Sequence, residues 1–248
     1  MTVRGIYSRT LRTYWRQAGF LMLLGAVVFI PLSLLDALAD RAQEIDTNNV
    51  TDFEFAALIA GLSAQGVTTL LGEVFYSGAV AVTLSDESRP RPSLRQVGRR
   101  ISYGRLIAVD LLYAVIVGVG LDLFVVPGIV FFTGFALAGP VVELERATVM
   151  GAFTRSWALV RQRFWTVLAV VVPITIVSSA LSVLLLDALP PIFGSNFLSD
   201  WISEAASSIA LSPFYAVAAV LITLELSGRP TLRGRRDPSG SEVSPHAP

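Results

Sequence analysis

Residues 106–142 read LIAVDLLYAVIVGVGLDLFVVPGIVFFTGFALAGPVV, and Asp110 and Asp122 are the only two among them that carry a charge at neutral pH. An α-helix crosses the hydrocarbon core of a bilayer with about 20 consecutive apolar residues. Two crossings therefore fit into this stretch, at about Leu106–Phe124 and about Pro127–Val142. The stretch predicts a helical hairpin in a membrane, and with it an all-α integral membrane protein.

The composition of the whole chain agrees with that fold class. Of its 248 residues, 53% are hydrophobic and 15% are charged, whereas soluble domains carry about 25% charged residues. Four further apolar blocks reach spanning length, which makes six spans in three helical hairpins, at about 19–38, 58–84, 106–124, 127–142, 164–186 and 202–226. We expect residues 1–226 to form one membrane domain and residues 227–248, rich in Pro, Ser, Gly and Arg, to form a disordered cytoplasmic tail.

The arginines predict the orientation of these spans. All 19 basic residues are arginine, and 18 of them lie on one side of the predicted spans. They precede span one, separate spans two and three, separate spans four and five, and follow span six, whereas only Arg41 lies on the other side. Because cytoplasmic loops carry the excess of basic residues, we expect a multi-pass protein of the plasma membrane with both termini in the cytoplasm.

The first 39 residues also allow a second interpretation. Their basic start, their apolar run and the sequence Ala37-Leu38-Ala39 are similar to a cleavable secretory signal. The basic region is long, however, and the apolar run is close to spanning length. We therefore expect span one to be retained, with cleavage as the alternative.

Two parts of the chain resemble each other. Arg16-Gln17 precedes span one as Arg161-Gln162 precedes span five, and Phe75-Tyr76 in span two matches Phe214-Tyr215 in span six. Both copies would run from the cytoplasm outward and back, which makes the repeat parallel, and spans three and four would be a third, degenerate copy. Each hairpin would then be preceded by a basic, partly amphipathic cytoplasmic segment.

The segment 147–165, ATVMGAFTRSWALVRQRFW, has the clearest amphipathic pattern. Interfacial helices present arginine on one face and Trp, Phe or Leu on the other, so this segment predicts a surface that contacts anionic lipid. The alternative is an ordinary connection between two spans. The candidate residues of this cytoplasmic interface are Glu143, Glu145, Arg155, Trp157, Arg161, Arg163 and Trp165.

The sequence around this segment resembles a known family. Residues 127–171 contain Pro127-Gly128 at the start of a span, Pro140 and Glu143 near its end, then Ser156-Trp157 and Phe164-Trp165. This pattern is similar to the membrane domain that accompanies some bacterial glycerophosphoryl diester phosphodiesterases, and to uncharacterised six-helix bacterial membrane proteins that share it. The resemblance implies a role in lipid or envelope metabolism. It does not imply phosphodiesterase activity, because in the fused members that activity belongs to a separate soluble barrel that this sequence lacks.

Ionisable residues inside predicted spans are the candidate intramembrane site. Such residues are costly in a bilayer and are functional candidates by default. Glu73 lies near the middle of span two, while Asp110 and Tyr113 lie in span three. One interpretation is a proton or substrate relay built from Glu73, Asp110 and Tyr113. The other is structural, with the acidic residues neutralising arginines and fixing helix positions.

The residue inventory excludes most catalytic chemistry. The chain has no cysteine, and its one histidine is His246. Thiol catalysis, Ser-His-Asp triads and His-based zinc sites are therefore excluded, and no nucleotide-binding or metalloprotease motif occurs. We expect no cofactor and no metal, and a net charge of zero speaks against nucleic acid as a partner.

Three functions remain for a chain of this kind. The first is a non-enzymatic membrane protein that organises anionic lipid or a partner protein in the envelope. The second is a small transporter or channel subunit with Glu73 in the translocation path. The third, an intramembrane enzyme acting on lipid phosphodiesters, has the least support because the sequence has no clustered carboxylate pair and no usable histidine.

Overall fold

A computed structural model describes residues 2–43, 72–85, 93–188 and 197–228, and these residues are almost entirely α-helical, with no strand among them. In chain order the helices are α1 (Val3–Gln43), α2 (Glu73–Ser85), α3 (Leu94–Arg100), α4 (Tyr103–Leu123), α5 (Val125–Phe135), α6 (Ala138–Glu145), α7 (Val149–Val160), α8 (Phe164–Ala188) and α9 (Phe197–Leu226). The predicted all-α fold class is thereby confirmed.

Four helical segments of the described chain are long and apolar enough to cross a membrane, namely Val3–Leu35, Tyr103–Leu121, Val125–Glu145 and Trp201–Leu226. A fifth is obtained if α7 and the first part of α8 are taken together, although the two helices are bent by 108° where they meet. The four segments overlap predicted spans one, three, four and six, in that order, and the bent pair overlaps predicted span five. In predicted span two, residues 58–71 lie outside the described residues, as does the predicted tail from residue 229 onward. The long apolar helices indicate a membrane-embedded protein.

The predicted fourth span consists of two helices. A turn at Ala136 and Leu137 separates α5 from α6, and the Ala136 amide bonds to the Thr133 carbonyl in a tighter, three-residue pattern. Pro140 explains this break, because its missing N–H removes the bond to the carbonyl four residues earlier, on Ala136, and its ring clashes there. The predicted fourth span thus overlaps the candidate segment Val125–Glu145, which is not one continuous helix.

Helix packing differs from three independent hairpins. The pairs α4–α5 and α8–α9 pack side by side, as expected for consecutive spans. In contrast, α1 packs mainly along α9 and touches α2 very little, while α2 lies between α6 and α9 and also contacts α4. Among the described residues, the two helices of the expected first hairpin, α1 and α2, therefore do not pack against each other as a pair. Instead, α1, α2 and α8 all pack against α9.

At one end of the bundle, arginines near the starts of α1 and α4 contact the ends of α9 and α6. Arg9 near the start of α1 is 3.2 Å from the Glu225 carboxylate near the end of α9. Arg105 at the start of α4 donates to the carbonyls of Arg146 and Ala147, just after α6. We call this the basic end. Its composition agrees with the grouping of arginines on one side that the sequence predicts.

The basic segments that precede the spans are not alike. The segment before predicted span one is no separate element, since α1 runs without a break from Val3 to Gln43. The segment before α8 is the distinct helix α7, which begins where the Thr148 hydroxyl accepts a hydrogen bond from the Gly151 amide. Of the predicted amphipathic segments, the one before α8 is thus a separate helix, α7. The one at the start of the chain is continuous with the rest of α1.

Small residues set the approach of α2 to α6. A Cβ atom added at Gly139 would overlap the Val74 carbonyl and would lie 2.6 Å from Ser77 Oγ. Gly78 faces the same crossing, because a Cβ there would lie 3.2 Å from the Gly139 carbonyl oxygen. Helices in a bilayer associate largely through van der Waals packing, which small residues at the crossing permit.

We expect Gly139→Ala to destabilise the bundle, because the obstructing atom belongs to the backbone of α2 and cannot rotate away. Overpacking of this kind costs about 1–3 kcal/mol. Gly19→Ala is the matched control, since nothing lies within 4 Å of a Cβ at that helical position. Thermal unfolding in detergent, followed by circular dichroism, should show a lower Tm for Gly139→Ala alone. Equal Tm values for the two variants would contradict the close approach.

Candidate functional site

The carboxylate of Asp110 on α4 binds the beginning of α2. Its Oδ2 atom accepts a hydrogen bond from the Gly72 amide at 2.6 Å, and its Oδ1 atom accepts from the amides of Val74 and Phe75 at 3.0 and 3.2 Å. The first amides of any helix lack intrahelical partners, and a carboxylate beside them is favoured by the helix dipole. Asp110 thus acts as an N-cap supplied from another helix.

The backbone before α2 is shaped for this contact. Gly72 has φ +92°, in the left-handed region that residues with a Cβ rarely adopt. From Glu73 to Ser85, α2 rises about 18 Å, which is shorter than a hydrocarbon core about 30 Å thick. Apolar surroundings offer no hydrogen-bond partner to the free amides at its start, and the Asp110 carboxylate, with 5% exposure, supplies one.

Glu73 is the first residue of α2 and points toward α9. Its Oε1 atom accepts a hydrogen bond from the Ser212 hydroxyl at 2.6 Å. Its Oε2 atom is buried and has no hydrogen-bond partner among the described residues. One oxygen of this interior carboxyl group therefore remains available to a water, a proton or a ligand group.

Two tyrosines lie near these carboxyl groups. Tyr113 is fully buried on α4, and its hydroxyl lies 3.4 Å from the Phe132 carbonyl. The ring of Tyr215 on α9 packs 6.5 Å from that of Phe132, and its buried hydroxyl has no partner in hydrogen-bond geometry within the described chain. Tyr113, Tyr215, Glu73 and Asp110 are close enough to interact electrostatically. The structure thus brings together all three residues predicted as an intramembrane site.

Sequence reasoning missed Ser212 and Tyr215 as members of this cluster. Hydroxyl residues are ordinary in membrane helices, so neither residue stands out by type. The available signal was the repeat, which aligns Phe214-Tyr215 with Phe75-Tyr76. Tyr76 is itself buried on α2, where its hydroxyl donates to the Leu21 carbonyl on α1 at 2.8 Å.

The partner of Asp110 differs from the expected one. Under the structural interpretation the acidic residues would neutralise arginines, and Asp110 lies near Arg105 in sequence. Arg105 instead donates to backbone carbonyls after α6, while Asp110 binds backbone amides of α2. Asp110 therefore fixes the position of a helix, but it does so without an arginine.

An open, mostly apolar groove of about 500 Å³ lies between α1, α2, α3 and α4. Leu94, Gly98 and Ile101 line it near the basic end, and Asp110 and Gly72 line it at the level where α2 begins. The other lining residues are Leu24, Val27, Val28, Leu32, Phe75, Ala79, Tyr103, Ile107 and Leu111. Its volume is within the range of small-molecule sites.

At the basic end, the two candidate interface carboxylates are used within the bundle. Glu143 Oε1 accepts a hydrogen bond from the Ser102 amide at 2.9 Å, immediately before α4. Both carboxylate oxygens of Glu145 accept from Arg155 Nε, at 2.9 and 3.2 Å. Glu143, Glu145 and Arg155 therefore hold α4, α6 and α7 together.

The aromatic face of α7 is also largely engaged inside the bundle. The ring of Trp157 lies against Gly134 on α5, and the Phe135 ring packs edge-on against Phe153 at 5.0 Å. The hydroxyl of Ser156 donates to the Gly134 carbonyl at 2.8 Å. Part of the apolar face of α7 is therefore packed against α5, whereas a free surface helix would leave that face exposed.

Three of the predicted interface residues remain exposed at the corner between α7 and α8. Arg161 and Arg163 are exposed and form no ion pair with a described residue, and Trp165 is 77% exposed beside Phe164. We call Arg161, Arg163 and Trp165 the corner patch. It combines guanidinium groups with an exposed indole, the side chains that membrane–water interfaces favour.

No cluster of metal-binding side chains occurs in the part of the chain that the structure describes. A comparison with known proteins finds no matching family model, no similar curated protein and no similar solved structure. The chemistry of the intramembrane cluster, the groove and the corner patch must therefore support any functional proposal.

We expect Asp110→Ala to destabilise the protein strongly, because three amides would lose their acceptor in an apolar interior, at about 1–3 kcal/mol each. Asp110→Asn keeps one acceptor oxygen and should fall between Asp110→Ala and the unchanged protein. Thermal unfolding in detergent measures this order. An Asp110→Ala protein that melts at the temperature of the unchanged protein would contradict the capping role.

Proposed function

We propose that this chain is a non-enzymatic, multi-pass protein of the bacterial plasma membrane that organises anionic lipid around its basic end. The observation that carries this proposal is the corner patch, in which Arg161 and Arg163 have no described ionic partner and closely precede an exposed Trp165. Basic side chains beside an anionic membrane surface contribute about 1 kcal/mol each. A partner protein with an acidic surface is the other occupant to be tested.

Orientation in the membrane belongs to the same proposal. The basic end would face the cytoplasm, because 18 of 19 arginines lie on one side of the predicted spans. Both termini would then be cytoplasmic, and six spans would cross the membrane. The resemblance to the membrane domain of glycerophosphoryl diester phosphodiesterases supports a place in envelope lipid metabolism without catalysis.

The corner patch can be tested with Arg161→Gln combined with Arg163→Gln. Two lost guanidinium contacts at about 1 kcal/mol each correspond to a loss of roughly thirtyfold in preference for anionic over zwitterionic lipid. Quenching of tryptophan fluorescence by brominated phosphatidylglycerol and by brominated phosphatidylcholine, in reconstituted vesicles, measures this preference.

The matched control is Arg4→Gln combined with Arg12→Gln, which removes the same charge from exposed positions of α1. We expect a smaller loss in this control, since it leaves the corner patch intact. Equal losses in both double variants would show that total charge, and not the corner patch, attracts the lipid. An unchanged preference in the corner variant would overturn the proposal.

A second candidate function, transport, is favoured by the interior carboxyl group. Glu73 lies at the level of the capped start of α2, and its Oε2 atom has no described partner. Helices that begin within the membrane are used by transporters to hold substrates and ions near the midplane. In this proposal Glu73 would exchange a proton along the translocation path.

For transport we expect Glu73→Gln to abolish a pH-dependent flux in proteoliposomes, because an amide cannot take up and release the proton. Glu145→Gln is the control, since this carboxylate lies at the basic end and pairs with Arg155. Flux in Glu73→Gln that equals the flux of the unchanged protein would remove Glu73 from the mechanism.

A further inference from the structure

We infer that the groove between α1, α2, α3 and α4 binds one acyl chain of an anionic phospholipid, with the lipid phosphate held by Arg95 and Arg99. This inference rests on the proposed function and names a specific lipid site within it. The site lies apart from the corner patch, and its lining residues come from different helices.

The chemistry of the groove matches a hydrocarbon chain. Its lining is dominated by aliphatic and aromatic side chains, and Val27, Ile107 and Leu111 at its margin are largely exposed. The carboxylate of Asp110, at the inner level, already accepts three backbone hydrogen bonds and needs no polar ligand. Because the groove is open and its margin is exposed, an acyl chain from a surrounding bilayer can enter it from the side.

The size and position of the groove also suit a lipid tail. Along α4 the lining runs from Tyr103 to Leu111, a rise of about 12 Å. It therefore extends from the basic end toward the middle of the hydrocarbon core, in the direction that a lipid tail takes when its headgroup stays at the surface.

The two arginines beside the groove favour a lipid with an anionic headgroup. In α3, Leu94 and Gly98 line the groove, and Arg95 and Arg99 follow each of them by one position. Both arginines are exposed and make no ion pair with any residue of the described ranges. Side chains four residues apart on a helix are neighbours, so the two guanidinium groups can bind one phosphate, which arginine recognises with paired hydrogen bonds.

The structure of α3 holds these arginines beside the groove. The Ser93 hydroxyl accepts from the Gln96 amide, and the Gln96 side chain accepts from the Ser93 amide, which forms a capping box. Val97 is buried and anchors the opposite side of the helix to the bundle. A short helix that is capped and anchored in this way presents its two arginines at a defined place.

The test uses the full chain in a mild detergent, equilibrated with phosphatidylglycerol or phosphatidylcholine, and native mass spectrometry to count bound lipid. Ile107→Trp should fill the groove from its margin, since Ile107 is 55% exposed and the larger side chain does not enter the core. We expect it to remove most of the bound phosphatidylglycerol, because the indole occupies the space that the acyl chain would fill. Leu111→Trp is a second variant with the same expected effect.

Val119→Trp is the matched control, because Val119 is 43% exposed on the same helix and does not line the groove. It should bind phosphatidylglycerol as the unchanged protein does. Arg95→Gln combined with Arg99→Gln should lower phosphatidylglycerol binding by roughly thirtyfold. It should lower phosphatidylcholine binding less, because the choline ammonium of that lipid already offsets its phosphate charge. A loss that is larger for the anionic lipid assigns its phosphate to these two arginines.

The outcomes separate this site from the corner patch. Bound lipid that persists in both groove-filling variants, or its absence from the unchanged protein, would overturn the groove site, even if the corner variant loses its anionic preference in vesicles. Loss of bound lipid in the groove-filling variants together with an unchanged preference in the corner variant would support the groove and overturn the corner patch.

Discussion

The hydrogen bonds from the first amides of α2 to the Asp110 carboxylate are the constraint on which the rest of the bundle depends. A helix that begins inside an apolar bundle needs an acceptor for its free amides, and neither lipid nor apolar side chains supply one. By meeting that need, Asp110 ties α2 to α4. This position places Glu73 against Ser212 of α9 and lets α2 meet α6 at Gly139, so α2 is held by α4, α6 and α9 together.

The same hydrogen bonds separate two regions of different chemistry. On one side of α2 lie Glu73, Tyr113 and Tyr215, which are buried polar groups. Two of their atoms, Glu73 Oε2 and the Tyr215 hydroxyl oxygen, have no described hydrogen-bond partner and suit a proton or a water. On the other side lies the apolar groove, which ends at the level of the Asp110 carboxylate. The Asp110 carboxylate lines the inner part of the groove, but its oxygens already accept hydrogen bonds from backbone amides. It therefore offers little polarity to a molecule in the groove. The molecule can therefore offer a lipid site beside an interior carboxyl group that lipid does not reach.

Particular residues show how far sequence reasoning reached. Asp110 and Glu73 were recognised because a charge inside an apolar block is conspicuous by type alone, and the structure does bring them together. Ser212 and Tyr215 were missed, because a hydroxyl gains significance only from what lies opposite it. Arg155 and Trp157 were predicted as part of a cytoplasmic interface. Both are partly exposed, and each also has a partner within the bundle, since Arg155 binds Glu145 and Trp157 lies against Gly134. A helical pattern states which residues share a face, and it leaves open whether that face meets lipid or another helix.

The sequence by itself determined the all-helical class, the membrane-embedded character and the location of most long apolar helices, because hydropathy over about 20 residues depends on local composition alone. It also predicted that 18 of the 19 arginines lie on one side of the spans. Only the tertiary structure decided that α2 starts at a capped position inside the bundle, that α1 packs along α9, and that Arg95 and Arg99 flank an apolar groove. These features depend on contacts between residues far apart in the chain, and no local pattern encodes which helices become neighbours.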